Sequence, residues 1–360
     1  MSRKLNFAAG PSMLPLSVLE EVQKAVIDFE GLGYSILETN HRSPVFDRIR
    51  AELKEKIRSL MSVPDDYDIL FCPGGGRLQF SMVPLNLVTE TGVGGYIVTG
   101  KWSDLAMKEC ARLTRAQVLW KGNGRELPRE PIAVGAEVDY VYFCDNETVD
   151  GTEFPFLPRV TQPKAVYVAD MSSNFMSRPI RVADYGVIWA GMQKNFGISG
   201  LSVLIVRHQL LHDKRTPIPL MLDWQRYFQT DSVPNSVPVL QFYVALLMAR
   251  WIEKEGGLVE MDRWAREKST CIYETIEAFP SLYRCDIPKE YRSRMNVVFS
   301  LRDERLTESF IREAAAEGML NVAGHASRGG LRISLYNAMP REAVEKLSVF
   351  MRTFAGRHSG

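Results

Sequence analysis

The chain has 360 residues and 46% hydrophobic content, enough for a large core and for one big domain plus a smaller one. Charge is balanced, with 44 Lys and Arg against 43 Asp and Glu, and no basic cluster points to nucleic acid or a membrane surface. The five cysteines, Cys72, Cys110, Cys144, Cys271 and Cys285, are scattered without a Cys-x-x-Cys pair, which argues against a zinc site and a disulfide framework, and no metal is expected.

A reduced compartment follows from that cysteine usage. The N-terminal residues contain no apolar stretch of signal-peptide length, and no run approaches the ~20 apolar residues of a membrane span. The expected location is therefore cytosolic.

Residues 1–15 read as an extended arm ending in Gly10-Pro11-Ser12 and Leu14-Pro15. Apolar spacing predicts a helix from Leu16 to about Phe29, closed by Gly31 and Gly33. Thr39–Pro44 reads as a loop and Phe46–Met61 as an amphipathic helix. From Tyr67 the pattern changes to β-rich runs separated by helical ones. The runs are Tyr67–Cys72, Gly95–Thr99, Ala116–Trp120, Asp139–Cys144, Ala165–Ala169, Tyr185–Ala190 and Leu201–Val206. This alternation predicts an α/β fold with a mostly parallel, seven-stranded sheet flanked by helices. Several runs are apolar without alternation, as strands covered on both faces are.

Thr216–Pro238 reads as a long irregular loop, and helices follow over Val239–Glu255 and Leu258–Phe279. Asn296–Ser300 and Gly330–Ser334 read as strands, Leu306–Glu317 and Arg341–Ala355 as helices. The expected division is an arm (1–15), a large domain (16–257) and a smaller C-terminal α/β domain (258–360).

The chemistry concentrates where these strands end. Asp170 closes one apolar run, and Lys194 follows the next, in Gln193-Lys194-Asn195. Pyridoxal 5'-phosphate (PLP) chemistry needs such a pair. A lysine amine condenses with the cofactor aldehyde, and a carboxylate keeps the pyridine nitrogen protonated. A helix cap for Asp170 and a solvated loop position for Lys194 are the plain alternatives. Gly74-Gly75-Gly76-Arg77 follows a strand and opens a helix, so its free N–H groups and dipole suit an anion. It carries neither a Walker A nor a Gly-x-Gly-x-x-Gly pattern, so a nucleotide fold is disfavoured. Trp102, at another strand end, could stack on a flat ring or simply pack. Composition alone reads Asp145–Thr152 as a polar turn, although Thr148 has a hydroxyl to offer. His41-Arg42 and the run from His325 to Arg332, which includes Arg328, read as anion receptors, because Arg suits bidentate carboxylate binding.

At these residues the chain resembles the phosphoserine aminotransferases, class V aminotransferases of PLP fold type I. The resemblance runs nearly end to end. Its most specific strings are Gly74-Gly75-Gly76-Arg77, Ser293-Arg294-Met295-Asn296-Val297 and Tyr336-Asn337-Ala338-Met339-Pro340. It implies a homodimer that exchanges an amino group between glutamate and 3-phosphohydroxypyruvate in serine biosynthesis. A second phosphorylated substrate, 4-phosphohydroxythreonine of pyridoxine biosynthesis, stays open.

The resemblance also implies roles. Lys194 would bind and serve the cofactor, with Asp170 at the pyridine nitrogen and Trp102 against the ring. Thr148 would bond the phenolic oxygen, while Gly76, Arg77 and Gln193 would hold phosphate or substrate. Asn235 and Ser236 would reach the cofactor phosphate across a dimer interface. Arg332 would take the substrate α-carboxylate, and His41, Arg42, Arg77 and His325 its distal acidic group. Two departures stand out. Where the family commonly reads Gly-His-Arg, this chain has Gly324-His325-Ala326, and Arg328 is the nearest replacement. Ala8-Ala9 stands where a serine is often found.

Overall fold

The computed structural model describes residues 3–162, 165–211 and 217–358. Met1 and Ser2 of the expected arm, Thr216 at the start of the expected irregular loop, and residues 359–360 lie outside them.

The large sheet comprises β1 (Tyr67–Pro73), β2 (Val93–Val98), β3 (Ala116–Lys121), β4 (Val138–Cys144), β5 (Tyr167–Asp170), β6 (Val187–Gly191) and β7 (Leu201–Arg207). Their order is β1-β7-β6-β5-β4-β2-β3, and only β7 runs antiparallel to its neighbours. The C-terminal ends of β1, β2, β4, β5 and β6 therefore share one edge, where ligands bind in sheets of this kind.

Alternate residues of each strand feed opposite cores. Ile69, Phe71, Val203 and Ile205 pack under α2 (Pro44–Met61) and α5 (Val239–Lys254). Leu70, Cys72, Tyr96, Tyr142 and Trp189 pack against α3 (Gly76–Leu87) and α4 (Lys101–Leu113). Helix α1 (Leu16–Ile27) precedes them, and its Val18 and Ala25 join the α2/α5 side.

A third core lies around β8 (Tyr283–Arg284), β9 (Asn296–Leu301) and β10 (Leu331–Ser334), an antiparallel sheet. Helices α6 (Gly257–Ala278), α7 (Thr307–Ala316) and α8 (Arg341–His358) surround it. Helix α6 serves two cores: Leu258 and Met261 join the α2/α5 side, Ile272 and Ile276 the third core. The arm is not merely extended. Leu5–Asn6 pairs in parallel with Met319–Leu320, and Phe7 and Met13 are buried in the third core.

The structure departs from the sequence expectation in local ways. The helix expected from Phe46 starts at Pro44, because Ser43 Oγ accepts from Phe46 N (3.3 Å) and proline suits the first helical position. The strand expected at Ala165–Ala169 occupies Tyr167–Asp170, where β4 and β6 supply pairing partners on both sides. The expected irregular loop contains a six-residue helix, Trp224–Gln229, capped by the Asp223 side chain. Among the described residues, no helix is long and apolar enough to cross a membrane.

Candidate active site

Asp170, the last residue of β5, is 6% exposed and accepts from Ser172 N at 2.9 Å. Burial pushes its pKa up, while attraction to Lys194 works against that shift. Lys194 is half-buried in the turn after β6, and burial lowers its pKa, opposed chiefly by Asp170. Its Nζ lies 5.2 Å from the centre of the Trp102 ring.

The main chain around Lys194 is held from three directions. The Ser12 hydroxyl donates to Lys194 O, and Ser12 N to Gln193 O at 3.1 Å. Asn195 Nδ2 donates to Phe175 O (2.6 Å), and Asn195 Oδ1 accepts from Asn337 N (2.8 Å). Asn337 is steadied by Lys268, whose buried Nζ donates to Tyr336 O (2.7 Å) and Met339 O (3.1 Å). Burial, with Arg341 adding, pulls Lys268 down to about 7. At Gly10, with φ +139°, a Cβ would come within 3.2 Å of Lys194 Cγ, so glycine lets the arm pass this close.

Trp102 is the second residue of α4. The helix start has no cap from Gly100, which lacks a side chain. The carboxylate of fully buried Glu147 takes that place, accepting from Trp102 N (2.8 Å), Ser103 N (2.9 Å) and Ser103 Oγ (2.6 Å). Asp150 Oδ2 accepts from Lys101 N at 2.9 Å. Burial raises Glu147 to about 7, with Asp150 adding and the Ser103 and Trp102 bonds opposing. The indole Nε1 donates to Thr148 Oγ1 at 2.7 Å, leaving the threonine proton free to donate. Arg77 lies 5.7 Å from the same ring.

The Gly-rich turn closes the site below. Gly75, ahead of α3, makes no side-chain cap, so the first helical N–H groups meet no capping side chain. A Cβ on Gly76 would meet Trp189 Cζ3 at 3.0 Å and Ser172 Oγ at 3.4 Å, so any side chain there would crowd β5 and β6 and push a neighbour aside. Gln193 Oε1 is buried nearby without a hydrogen-bond partner: a Cβ on Gly191 would lie 2.9 Å from it and 3.2 Å from Gly76 N.

At the mouth, Arg332 Nη1 donates to Thr148 O at 3.3 Å, and burial lowers its pKa. His325 Nδ1 accepts from Ser327 N (3.1 Å) and meets Ser327 Oγ (2.8 Å), and that hydroxyl accepts from Lys101 Nζ (3.1 Å). Burial lowers the His325 pKa, and the Lys101 and Arg332 charges add to it. Arg328 is committed elsewhere than the sequence suggested: its Nη1 pairs with Asp150 Oδ1 at 2.8 Å.

Four expected site residues are not joined to this cluster. Arg42, Asn235 and Ser236 are exposed, and no hydrogen bond or ion pair links them, or His41, to Lys194, Asp170 or Trp102. His41 Nε2 is buried without a partner, and Arg42 N donates to Asn40 Oδ1 at 2.8 Å. Sequence reasoning missed Glu147, Asp150, Ser12, Asn195 and Lys268. Glu147 and Asp150 left one signal, two carboxylates after a strand in a stretch that reads as a polar turn. Among the described residues, no group of three or more His, Cys, Asp or Glu is placed to hold a metal.

The model of the family described as aminotransferase class-V matches residues 4–347. The phosphoserine aminotransferase of Geobacillus kaustophilus is 39% identical over 99% of both chains. Among solved structures, the phosphoserine aminotransferase of Bacillus circulans subsp. alkalophilus superposes with a TM-score of 0.96, at 35% identity over 99% of each chain. The PLP-bound phosphoserine aminotransferase of Trichomonas vaginalis gives 0.92 at 35% identity, over 97% of this chain and 100% of that one. With a lysine, a strand-end aspartate and a tryptophan gathered at the edge where parallel strands end, and with this match along nearly its whole length, the chain belongs to the class-V aminotransferase family.

Proposed function

We propose that this chain is a PLP-dependent transaminase that exchanges an amino group between glutamate and 3-phosphohydroxypyruvate, giving O-phosphoserine and 2-oxoglutarate. The observation that carries the reading is Lys194 Nζ set 5.2 Å from the Trp102 ring, with Asp170 buried at the adjacent strand end. The full-length relatives named phosphoserine aminotransferase support the substrate class.

The residues present fit the cofactor. Gly76 leaves a close approach where a side chain would crowd Trp189, Gln193 Oε1 lacks a partner, and Thr148 keeps a free proton. Gly76, Arg77 and Gln193 would hold its phosphate end, Thr148 its phenolic oxygen, Trp102 its ring face and Asp170 its ring nitrogen. When bound, PLP supplies an aldehyde that condenses with amines and a ring that takes up electron density.

The chain supplies the rest. Asp170, close to Lys194 in charge terms but buried, favours a cation opposite it. Burial makes Lys194 less basic than a free lysine, so more of its amine is unprotonated and able to take a proton from the substrate α-carbon. Arg332 would orient the substrate through its α-carboxylate.

We also propose a homodimer with shared sites, in which His41, Arg42, Asn235 and Ser236 serve the partner's cofactor and substrate. Two facts support this: these residues stay off their own site, and Leu16, Leu19, Ile27, Leu32 and Leu37 of the N-terminal region are exposed. The division near residue 257 into a large and a small domain belongs to the same reading, with α6 spanning the junction.

A phosphoserine–2-oxoglutarate assay with Lys194→Ala as control tests the proposal. Purified protein should be yellow, and borohydride should fix the cofactor to Lys194. A colourless protein that takes up no PLP would sink the reading. Ala326 favours one rival, a related transaminase with a different acceptor. Equal rates with phosphoserine and serine would support it. A non-catalytic cofactor-binding homologue is disfavoured by the complete Lys194, Asp170 and Trp102 set.

A further inference from the structure

Four basic side chains gather where the 324–332 segment meets the start of α4, but they are not equivalent. Arg328 is matched by Asp150 at 2.8 Å, and both side chains are mostly buried, 25% and 14% exposed. Drawing Arg328 towards a ligand would leave Asp150 without its counter-ion beside buried Glu147, a costly separation. Arg332 already reaches Thr148 O and is the α-carboxylate receptor of the reading above. His325 is pushed towards its neutral form by burial and by the Lys101 and Arg332 charges. Ala326 offers only a methyl group.

Lys101 differs from all of these. Its Nζ bonds a neutral hydroxyl, Ser327 Oγ at 3.1 Å, and among the described residues no carboxylate pairs with it. Its backbone N is fixed by Asp150, so the root of the side chain is held while the ammonium stays available. It sits next to Trp102 in sequence and, through Ser327, on the same short segment as His325. A dianionic group arriving here meets an ammonium that need not first leave an ion pair.

We propose that, within the 324–332 and α4 cluster, Lys101 rather than Arg328 supplies a charge that helps distinguish a phosphorylated substrate from its unphosphorylated counterpart, alongside the groups the partner would bring. The inference rests on the transaminase reading above and adds to it the identity of a discriminating charge. Ser327 and His325 position that charge, and the Asp150–Arg328 pair holds the framework.

The test compares kcat/KM for O-phosphoserine and for serine in the holoenzyme. In Lys101→Gln the phosphoserine-to-serine ratio falls about ten-fold or more, the loss expected for one charge-assisted contact. Lys101→Arg keeps most of the ratio. Arg328→Gln moves both substrates together and leaves the ratio near wild type. Phosphoserine binding to borohydride-reduced holoenzyme, followed by calorimetry, weakens in Lys101→Gln and loses part of its salt dependence.

An unchanged ratio in Lys101→Gln, an equal loss with both substrates, or a selective loss in Arg328→Gln overturns the assignment. A wild-type protein that takes up PLP but does not transaminate phosphoserine overturns the functional reading instead. Inorganic phosphate then decides the question for Lys101. Weaker phosphate affinity in Lys101→Gln than in wild type upholds the assignment, and equal affinity ends it.

Discussion

Around Lys194 the polar groups of the main chain are tied to the arm, to the 174–177 turn and to the 336–339 turn, whereas around His325 charges face one another half-matched. The first region is built on the ends of buried strands, and its bonds run between distant parts of the chain. Ser12 and Lys194 are 182 positions apart, and Asn195 and Asn337 142. The second is a short segment with side chains that reach across to the start of α4. On the proposed reading, placement is rigid where bonds would break and form, and charge is left uncommitted where an anion would arrive and leave.

Four perturbations probe that contrast. Lys194→Ala should lower transamination by at least ~10³-fold, as loss of a general base does, and borohydride should no longer attach cofactor to the chain. An active variant would remove Lys194 from the rigid region's centre. Asp170→Asn keeps the shape but removes the charge. Its kcat should fall on the order of 10²-fold, with the cofactor still bound but its absorbance shifted.

Arg42→Ala probes the dimer. It should raise KM about ten-fold, and mixing it with Lys194→Ala should recover activity, because one site of a mixed dimer then carries neither lesion. No recovery in verified mixed dimers would place Arg42 outside the partner's site.

Glu147→Gln should have the smallest effect on turnover. It sets an N–H donor against donors at the start of α4, at a cost of about 1–3 kcal/mol of stability, with weaker cofactor affinity through Trp102. Its pH signature has a definite sign. The folded-state pKa of about 7 lies above the ordinary 4.5, so the folded protein holds the extra proton in between. The Glu147 contribution to stability therefore falls as pH rises from about 4.5 to about 7, and Glu147→Gln flattens that slope in thermal melts. Glu153 has the opposite sign. Burial would raise it, but Arg294 and Arg178 outweigh burial and hold it at about 2. Its contribution is present above pH 4.5 and lost between about 4.5 and 2.

Much of this was legible in the sequence. Several of the seven strands of the large sheet showed as apolar runs without alternation, because both their faces are covered, whereas the edge strand β3 stays largely exposed. Asp170, Lys194 and Trp102 stood out because each follows or ends such a run. What could not be read depends on contacts between distant segments. Glu147 looks like one residue of a polar turn until α4 is placed above it. Arg328 looks like a free guanidinium until Asp150 is seen beside it. The Trp224–Gln229 helix was hidden in a stretch rich in Pro and Asp, where six residues give too little periodicity to detect.

The fastening of Lys194 on both sides also sets how its amine can travel. With Gln193 O, Lys194 O and Asn195 all engaged, the backbone there cannot swing, and only the bonds of the lysine side chain can turn. In the proposed reaction, any proton that Lys194 carries would then move by rotamer exchange, far faster than loop opening. The arm belongs to that device. Removing residues 1–12 would leave the strands of the large sheet in place, yet it would loosen the pivot on which the Lys194 amine turns.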